Sequence, residues 1–139
     1  FEPALAREGA RPRIAVGLDT SGSVEDDMLA LFAAEIAGLA RRTGAETHLL
    51  AFDETVHAAR LLPPAGVEAA LRARPLRRGG GTSFKAVLGE AVTLRPAIAV
   101  ILTDLDGAFP APPAMPVLWA VPQAPRAAPP FGRVLVMDR

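Results

Sequence analysis

The sequence has no cysteine, no net charge and no long apolar run, and each of these absences excludes a class of protein. Without cysteine there are neither disulfides nor thiolate metal sites. Fifteen Lys and Arg balance fifteen Asp and Glu, so no bulk attraction to nucleic acid or to an anionic membrane is expected. No apolar run approaches the ~18 to 20 residues of a membrane span. We therefore predict a cytoplasmic protein with neither nucleic acid nor membrane as a partner.

The chain is long enough for one domain. Its 139 residues, 50% of them hydrophobic, suffice for a single buried core. The first residue is Phe rather than Met, and the opening stretch has neither the charged region nor the apolar region of a targeting segment. We expect residues 1–12 to be a linker from an upstream segment and residues 13–139 to form the domain.

Alternating strand and helix patterns predict the fold class. Short apolar runs predict strands, and apolar residues spaced three and four apart predict helices. The predicted strands are 13–18, 46–52, 55–61, 97–103, 116–121 and 133–137, and the predicted helices are 24–43, 67–73 and 84–94. Only Asp53-Glu54 separates the second strand from the third, so the third is expected to be antiparallel and at an edge. The order predicts a three-layer α/β/α sandwich around a mostly parallel, doubly wound sheet.

The last two connections of this sheet are rich in proline. Residues 107–115 and 122–131 show no helical pattern, although crossovers between parallel strands normally carry a helix. The sequence therefore predicts thin cover on both faces near one edge of the sheet, where another segment or a partner would pack.

Three polar loops follow a predicted strand or precede a predicted helix. They contain Asp19, Ser21 and Ser23 in the first loop, Thr82 in the second and Asp104 in the third. In a doubly wound sheet such loops meet at one crevice. Carboxylates and hydroxyls are hard oxygen ligands that suit Mg²⁺, Mn²⁺ or Ca²⁺. The alternative is that these residues form ordinary turns and helix caps.

The same residues carry a family resemblance. Residues 19–23, DTSGS, resemble the D-x-S-x-S motif of the von Willebrand factor type A (VWA) domain, and Thr82 and Asp104 resemble its second-loop threonine and third-loop aspartate. Together these form the metal-ion-dependent adhesion site of that family. The resemblance implies that Ser21 and Ser23 bind the ion, usually Mg²⁺, and that Thr82 binds it directly or through water. It also implies that Asp19 and Asp104 mostly hold coordinating waters. An open position would then accept an acidic residue of a partner protein.

A narrower resemblance concerns the C-terminal half. Residues 103–110, 116–119 and 131–134 resemble the C-terminal VWA-like domain of bacterial predicted metal-dependent peptidases, whose peptidase-like domain lies upstream. It implies a MoxR-type AAA+ ATPase as a partner. His48 and His57 lie in predicted strands, outside any H-E-x-x-H motif, and are not expected to bind metal. We therefore expect no enzymatic activity in this chain.

Two other functions compete with metal-dependent protein binding. One is a Mg²⁺-dependent phosphohydrolase in which Asp19 or Ser21 is the nucleophile and Asp104 or Asp106 helps hold the ion. It lacks the D-x-D pattern of aspartate-based phosphatases. The other is a scaffold whose metal site is degenerate. VWA domains commonly have T-D-G in the third loop, whereas here Asp106 precedes the glycine instead. We expect Asp106 to be either a solvated carboxylate or an accessory residue of the site.

Overall fold

In the part of the chain that the structure describes, three helices flank one sheet of six strands. The computed structural model describes residues 11–21, 25–63, 66–72 and 81–137. The strands are β1 Arg13–Asp19, β2 Glu46–Phe52, β3 Val56–Leu62, β4 Ile98–Leu102, β5 Val117–Val121 and β6 Arg133–Val136. The helices are α1 Asp26–Thr43, α2 Val67–Arg72 and α3 Phe84–Thr93. Residues 1–10 of the predicted linker lie outside the described ranges.

The strand order is β3-β2-β1-β4-β5-β6. β3 is antiparallel to β2, and every other neighbouring pair is parallel. This confirms the predicted α/β sheet with one antiparallel edge strand. The chain leaves β1 toward β2 and later returns on its other side as β4, so the strand order reverses between β1 and β4. At such a point the loops after the strands leave a crevice.

Helix α1 covers one face of the sheet because its apolar residues recur with the helical period. Leu29, Phe32 and Ile36 are buried there. Asp26 and Asp27 lie in its first turn and basic residues lie in its last turn. Both groups of charges interact favourably with the helix dipole and so stabilise the helix. No helix within the described ranges combines the length and the apolar character needed to cross a membrane.

Helix α3 covers the opposite face. Its residues Phe84, Val87 and Leu88 are buried in a second cluster with Trp119 of β5. Ser83 caps the helix, as its hydroxyl accepts a 3.4 Å hydrogen bond from the Lys85 N–H. The cap places residues 81–83 at the carboxyl edge of the sheet, beside the end of β2.

The helix-free connections cover the two faces unequally. On the α3 face, Phe109, Met115 and Phe131 from the proline-rich segments pack against the core, and the Trp119 indole N–H donates to the Phe131 carbonyl at 2.8 Å. On the α1 face Leu135 remains 45% exposed. The expectation of thin cover was therefore wrong for the α3 face, where aromatic loop residues take the place of a helix.

Candidate functional site

The end of β1 places a buried carboxylate at the point where the strand order reverses. Asp19 is the last residue of β1 and is only 5% exposed. Its Oδ1 accepts hydrogen bonds from the backbone N–H of Ser21 at 2.9 Å and from the Ser21 hydroxyl at 2.6 Å. The carboxylate thus bends the chain into a tight turn and holds the Ser21 hydroxyl beside itself.

The second loop reaches the same point. The Thr82 hydroxyl donates to Ser21 Oγ at 2.8 Å and lies 3.5 Å from Asp19 Oδ1. The structure therefore brings together three of the predicted site residues, Asp19, Ser21 and Thr82, although Thr82 is 63 positions from Asp19 in the chain.

The third loop contributes a residue that sequence reasoning noted only as part of the loop. The Thr103 hydroxyl is fully buried and donates to Asp19 Oδ2 at 2.6 Å. The Thr103 hydroxyl oxygen also accepts a 3.1 Å hydrogen bond from the Leu105 N–H, and Leu105 adopts a left-handed backbone with φ 68°. The sequence did contain a signal that could have identified this residue: a hydroxyl at the end of a predicted buried strand, directly before a candidate aspartate.

The predicted residues Asp104 and Asp106 lie in the third loop, after β4. Asp104 Oδ1 accepts a hydrogen bond from the Asp106 N–H at 2.9 Å. Asp104 and Asp106 line a cavity of about 650 Å³, together with residues 122–129. Asp106 itself is exposed. Ser23 lies outside the described residues.

The turn after β2 ties the second loop to the sheet. The backbone carbonyl of Asp53 accepts from the Ser83 N–H at 3.0 Å, and the Glu54 carboxylate accepts from the Gly81 N–H at 3.1 Å. These two hydrogen bonds hold the residues on either side of Thr82. Asp53, interpreted from sequence as a turn residue, is only 4% exposed and its Oδ1 also accepts from the Thr55 N–H.

The third loop closes on Thr82 from the other side. A Cβ atom on Gly107 would lie 2.7 Å from the Thr82 carbonyl oxygen and 2.9 Å from its Cγ2. The backbone of Ala108 pairs with that of Ser83 in an isolated parallel bridge. The site threonine is thus enclosed by two backbone segments.

The arrangement of hydroxyls suits a hard cation. Ser21 and Thr103 direct their hydrogens toward the Asp19 carboxylate, and Thr82 directs its hydrogen toward Ser21. The Ser21 and Thr82 oxygens therefore keep lone pairs that are not engaged by these bonds. Within the described ranges no three His, Cys, Asp or Glu side chains form a metal-binding group. Hydrogen bonds bring hydroxyls around the Asp19 carboxylate. Such oxygens fit Mg²⁺ and do not fit a soft metal.

A family model matches this chain. The model of a family described as VWA-like domain (DUF2201) matches residues 14–138, which is nearly the whole chain. A search of curated proteins found no match.

Proposed function

The chain belongs to the VWA-like domain family (DUF2201), and from this we propose that it is a protein-binding module that depends on a divalent metal ion. The ion, Mg²⁺ or else Mn²⁺ or Ca²⁺, would be bound by the hydroxyls of Ser21, Ser23 and Thr82. Asp19 and Asp104 would mostly hold its coordinating waters. The bound ion would supply an electrophilic position for a carboxylate of the partner.

One observation carries the proposal. Two hydroxyls and one carboxylate from loops more than 60 residues apart lie within 3.5 Å of one another at the reversal of strand order. A turn or a helix cap needs only local partners, so it does not explain why Thr82 meets Ser21.

The chain's own residues prepare this site. Asp19 orients the two hydroxyls and supplies the negative charge that would favour a cation. Thr103 holds the Asp19 carboxylate through its second oxygen at 2.6 Å. Neutral hydroxyls next to an ion leave more of its charge for an incoming carboxylate than charged ligands do. These features support capture of an acidic side chain rather than turnover of a substrate.

The wider context is also proposed. The chain would be the C-terminal interaction domain of a larger cytoplasmic bacterial protein related to predicted metal-dependent peptidases. A MoxR-type AAA+ ATPase would be its partner, presenting the acidic residue. The chain itself would not catalyse a reaction.

Titration calorimetry tests the metal half of the proposal. Mg²⁺ and Mn²⁺ are titrated into the metal-stripped chain and into Ser21→Ala and Thr82→Ala. We expect binding by the parent and at least about tenfold weaker binding by both variants, because each loses one oxygen of the site. Thr93→Ala is the matched control, since this exposed hydroxyl lies at the far end of α3 and donates to the Glu90 carbonyl. Equal heats in all four proteins would contradict the proposal and favour a scaffold.

The partner half needs a carboxylate probe. Acetate is titrated by NMR in Mg²⁺ and in EDTA, and we expect amide shifts around Thr82 only in Mg²⁺. Binding of a purified MoxR-type AAA+ ATPase is then compared in the same two buffers. Hydrolysis of p-nitrophenyl phosphate that is lost in Asp19→Ala would instead support the phosphohydrolase.

A further inference from the structure

A β-bulge directs His57 toward the first loop of the site. Ala51 of β2 pairs with Ala58 and Phe52 pairs with Val56, so His57 is an extra residue in β3 without a counterpart in β2. Bulges bend the strand and redirect the side chain of the extra residue, and they are enriched next to functional sites. Here the His57 Nε2 atom lies 2.8 Å from the Thr20 hydroxyl oxygen.

Thr20 lies between Asp19 and Ser21 and is only 6% exposed. Its side chain points toward β2, whereas those of its two neighbours meet Thr82. Its backbone N–H donates to the Phe52 carbonyl at 2.8 Å, and its hydroxyl oxygen lies 3.0 Å from the same carbonyl oxygen. Thr20 is thus the anchor of the segment that carries the site carboxylate.

The three contacts determine the direction of the hydrogen bonds. A hydroxyl has one hydrogen, and a carbonyl oxygen can only accept. If the Thr20 hydrogen pointed to His57, two oxygens would face each other at 3.0 Å with no hydrogen between them. The consistent chain runs from the His57 Nε2–H to the Thr20 hydroxyl and on to the Phe52 carbonyl.

From this geometry we propose that His57 is a positioning residue: its Nε2–H donates to Thr20 and thereby holds residues 19–21 in the arrangement the site requires. The inference deepens the proposed function, because it names a residue outside the loop motifs that sets the conformation of the metal-binding segment. His57 is not itself among the residues proposed to hold the ion. By restraining Thr20, this bond also restrains its two neighbours, Asp19 and Ser21.

The test compares His57→Phe, which keeps a ring but removes the donor, with His57→Gln, whose side-chain amide places an N–H the same number of bonds from the backbone. Three quantities are measured: the amide exchange of Thr20 and Ser21, the affinity for Mg²⁺, and the His57 tautomer by long-range ¹H–¹⁵N NMR. In His57→Phe we expect exchange about 3- to 10-fold faster and Mg²⁺ binding weaker by a similar factor, as for loss of one buried hydrogen bond. His57→Gln should restore most of both.

Thr20→Val provides a second route, since it keeps the shape and removes both the acceptor for His57 and the donor to the Phe52 carbonyl. It should accelerate exchange at least as much as His57→Phe does, and the double variant should exchange about as fast as Thr20→Val alone. The inference would be overturned if amide exchange in both single variants were as slow as in the parent. It would also be overturned if His57 carried its proton on Nδ1 and none on Nε2. If the parent binds no Mg²⁺, the proposed function fails, while exchange and tautomer still decide the role of His57.

Discussion

Replacing Gly107 by Ala should damage the site through Thr82 without touching any oxygen that would bind metal. The added Cβ would lie 2.7 Å from the Thr82 carbonyl oxygen, 2.9 Å from its Cγ2 and 3.0 Å from its Cβ. Real Cβ atoms do not approach so closely, so a backbone segment must move. Flexible side chains can yield at little cost, but the first obstacle here is a carbonyl oxygen.

The movement has a defined consequence. The Thr82 carbonyl accepts from the Ala108 N–H at 3.4 Å, and its hydroxyl lies 2.8 Å from Ser21 Oγ. Pushing Thr82 away weakens both contacts. Overpacking of this kind typically costs about 1–3 kcal/mol of folding free energy. We expect Mg²⁺ affinity to fall about tenfold, the size of effect seen when supporting contacts of a metal site are lost.

The assay is urea unfolding combined with Mg²⁺ titration calorimetry. Gly107→Ala should lower the unfolding midpoint at unchanged slope, which identifies a change in stability. Gly89→Ala is the control, because Gly89 is exposed within α3 and a Cβ there would meet nothing within 4 Å. That variant should gain about 0.5–1 kcal/mol from helix propensity and bind Mg²⁺ like the parent. If Gly107→Ala kept the unfolding midpoint and the Mg²⁺ affinity of the parent, the idea that the added Cβ displaces Thr82 would be refuted.

Two further changes test the surroundings of the site. Thr103→Val keeps the shape but removes the 2.6 Å hydrogen bond to Oδ2 of the buried Asp19 carboxylate, so we expect a loss of about 1–3 kcal/mol in urea unfolding and weaker Mg²⁺ binding; unchanged stability would show that this bond contributes nothing. Hydrogen bonds from His48 and Arg13 hold the pKa of Glu46 below its usual value. Because the folded pKa is lowered, the stabilisation is present above the unfolded pKa and is lost as pH falls through the folded one. Glu46→Gln should therefore melt slightly below the parent at pH 7 and converge with it in acid, whereas a constant difference at every pH would contradict this assignment.

Local patterns predicted the elements well, because their causes are local. Helix α1 follows from apolar spacing and from charges placed at its two ends, and the antiparallel edge strand β3 follows from a gap too short for a crossover. The convergence of loops one and two was also predictable, since parallel strands end at the same edge of a sheet. Asp19, Ser21 and Thr82 were therefore identifiable from the order of strands and polar loops along the chain.

The rest required the tertiary structure. His57 was interpreted as a packed or exposed residue of a strand, because alternation along a strand cannot reveal a one-residue bulge; the bulge arises from pairing with a different strand. For the third loop, the prediction named the aspartate next to Thr103 and not Thr103 itself. Only the register of β4 beside β1 brings the Thr103 hydroxyl to the Asp19 carboxylate.

The sequence by itself determined the fold class, the edge strand and the three loops that carry polar oxygens. It could not decide which face of the sheet stays open, because that depends on where Phe109 and Phe131 pack after the chain has folded. Nor could it decide which side chains orient the Asp19 carboxylate. Periodicity is set by neighbours a few positions apart, whereas those hydrogen bonds join residues up to 84 positions apart, and strand register alone brings them together.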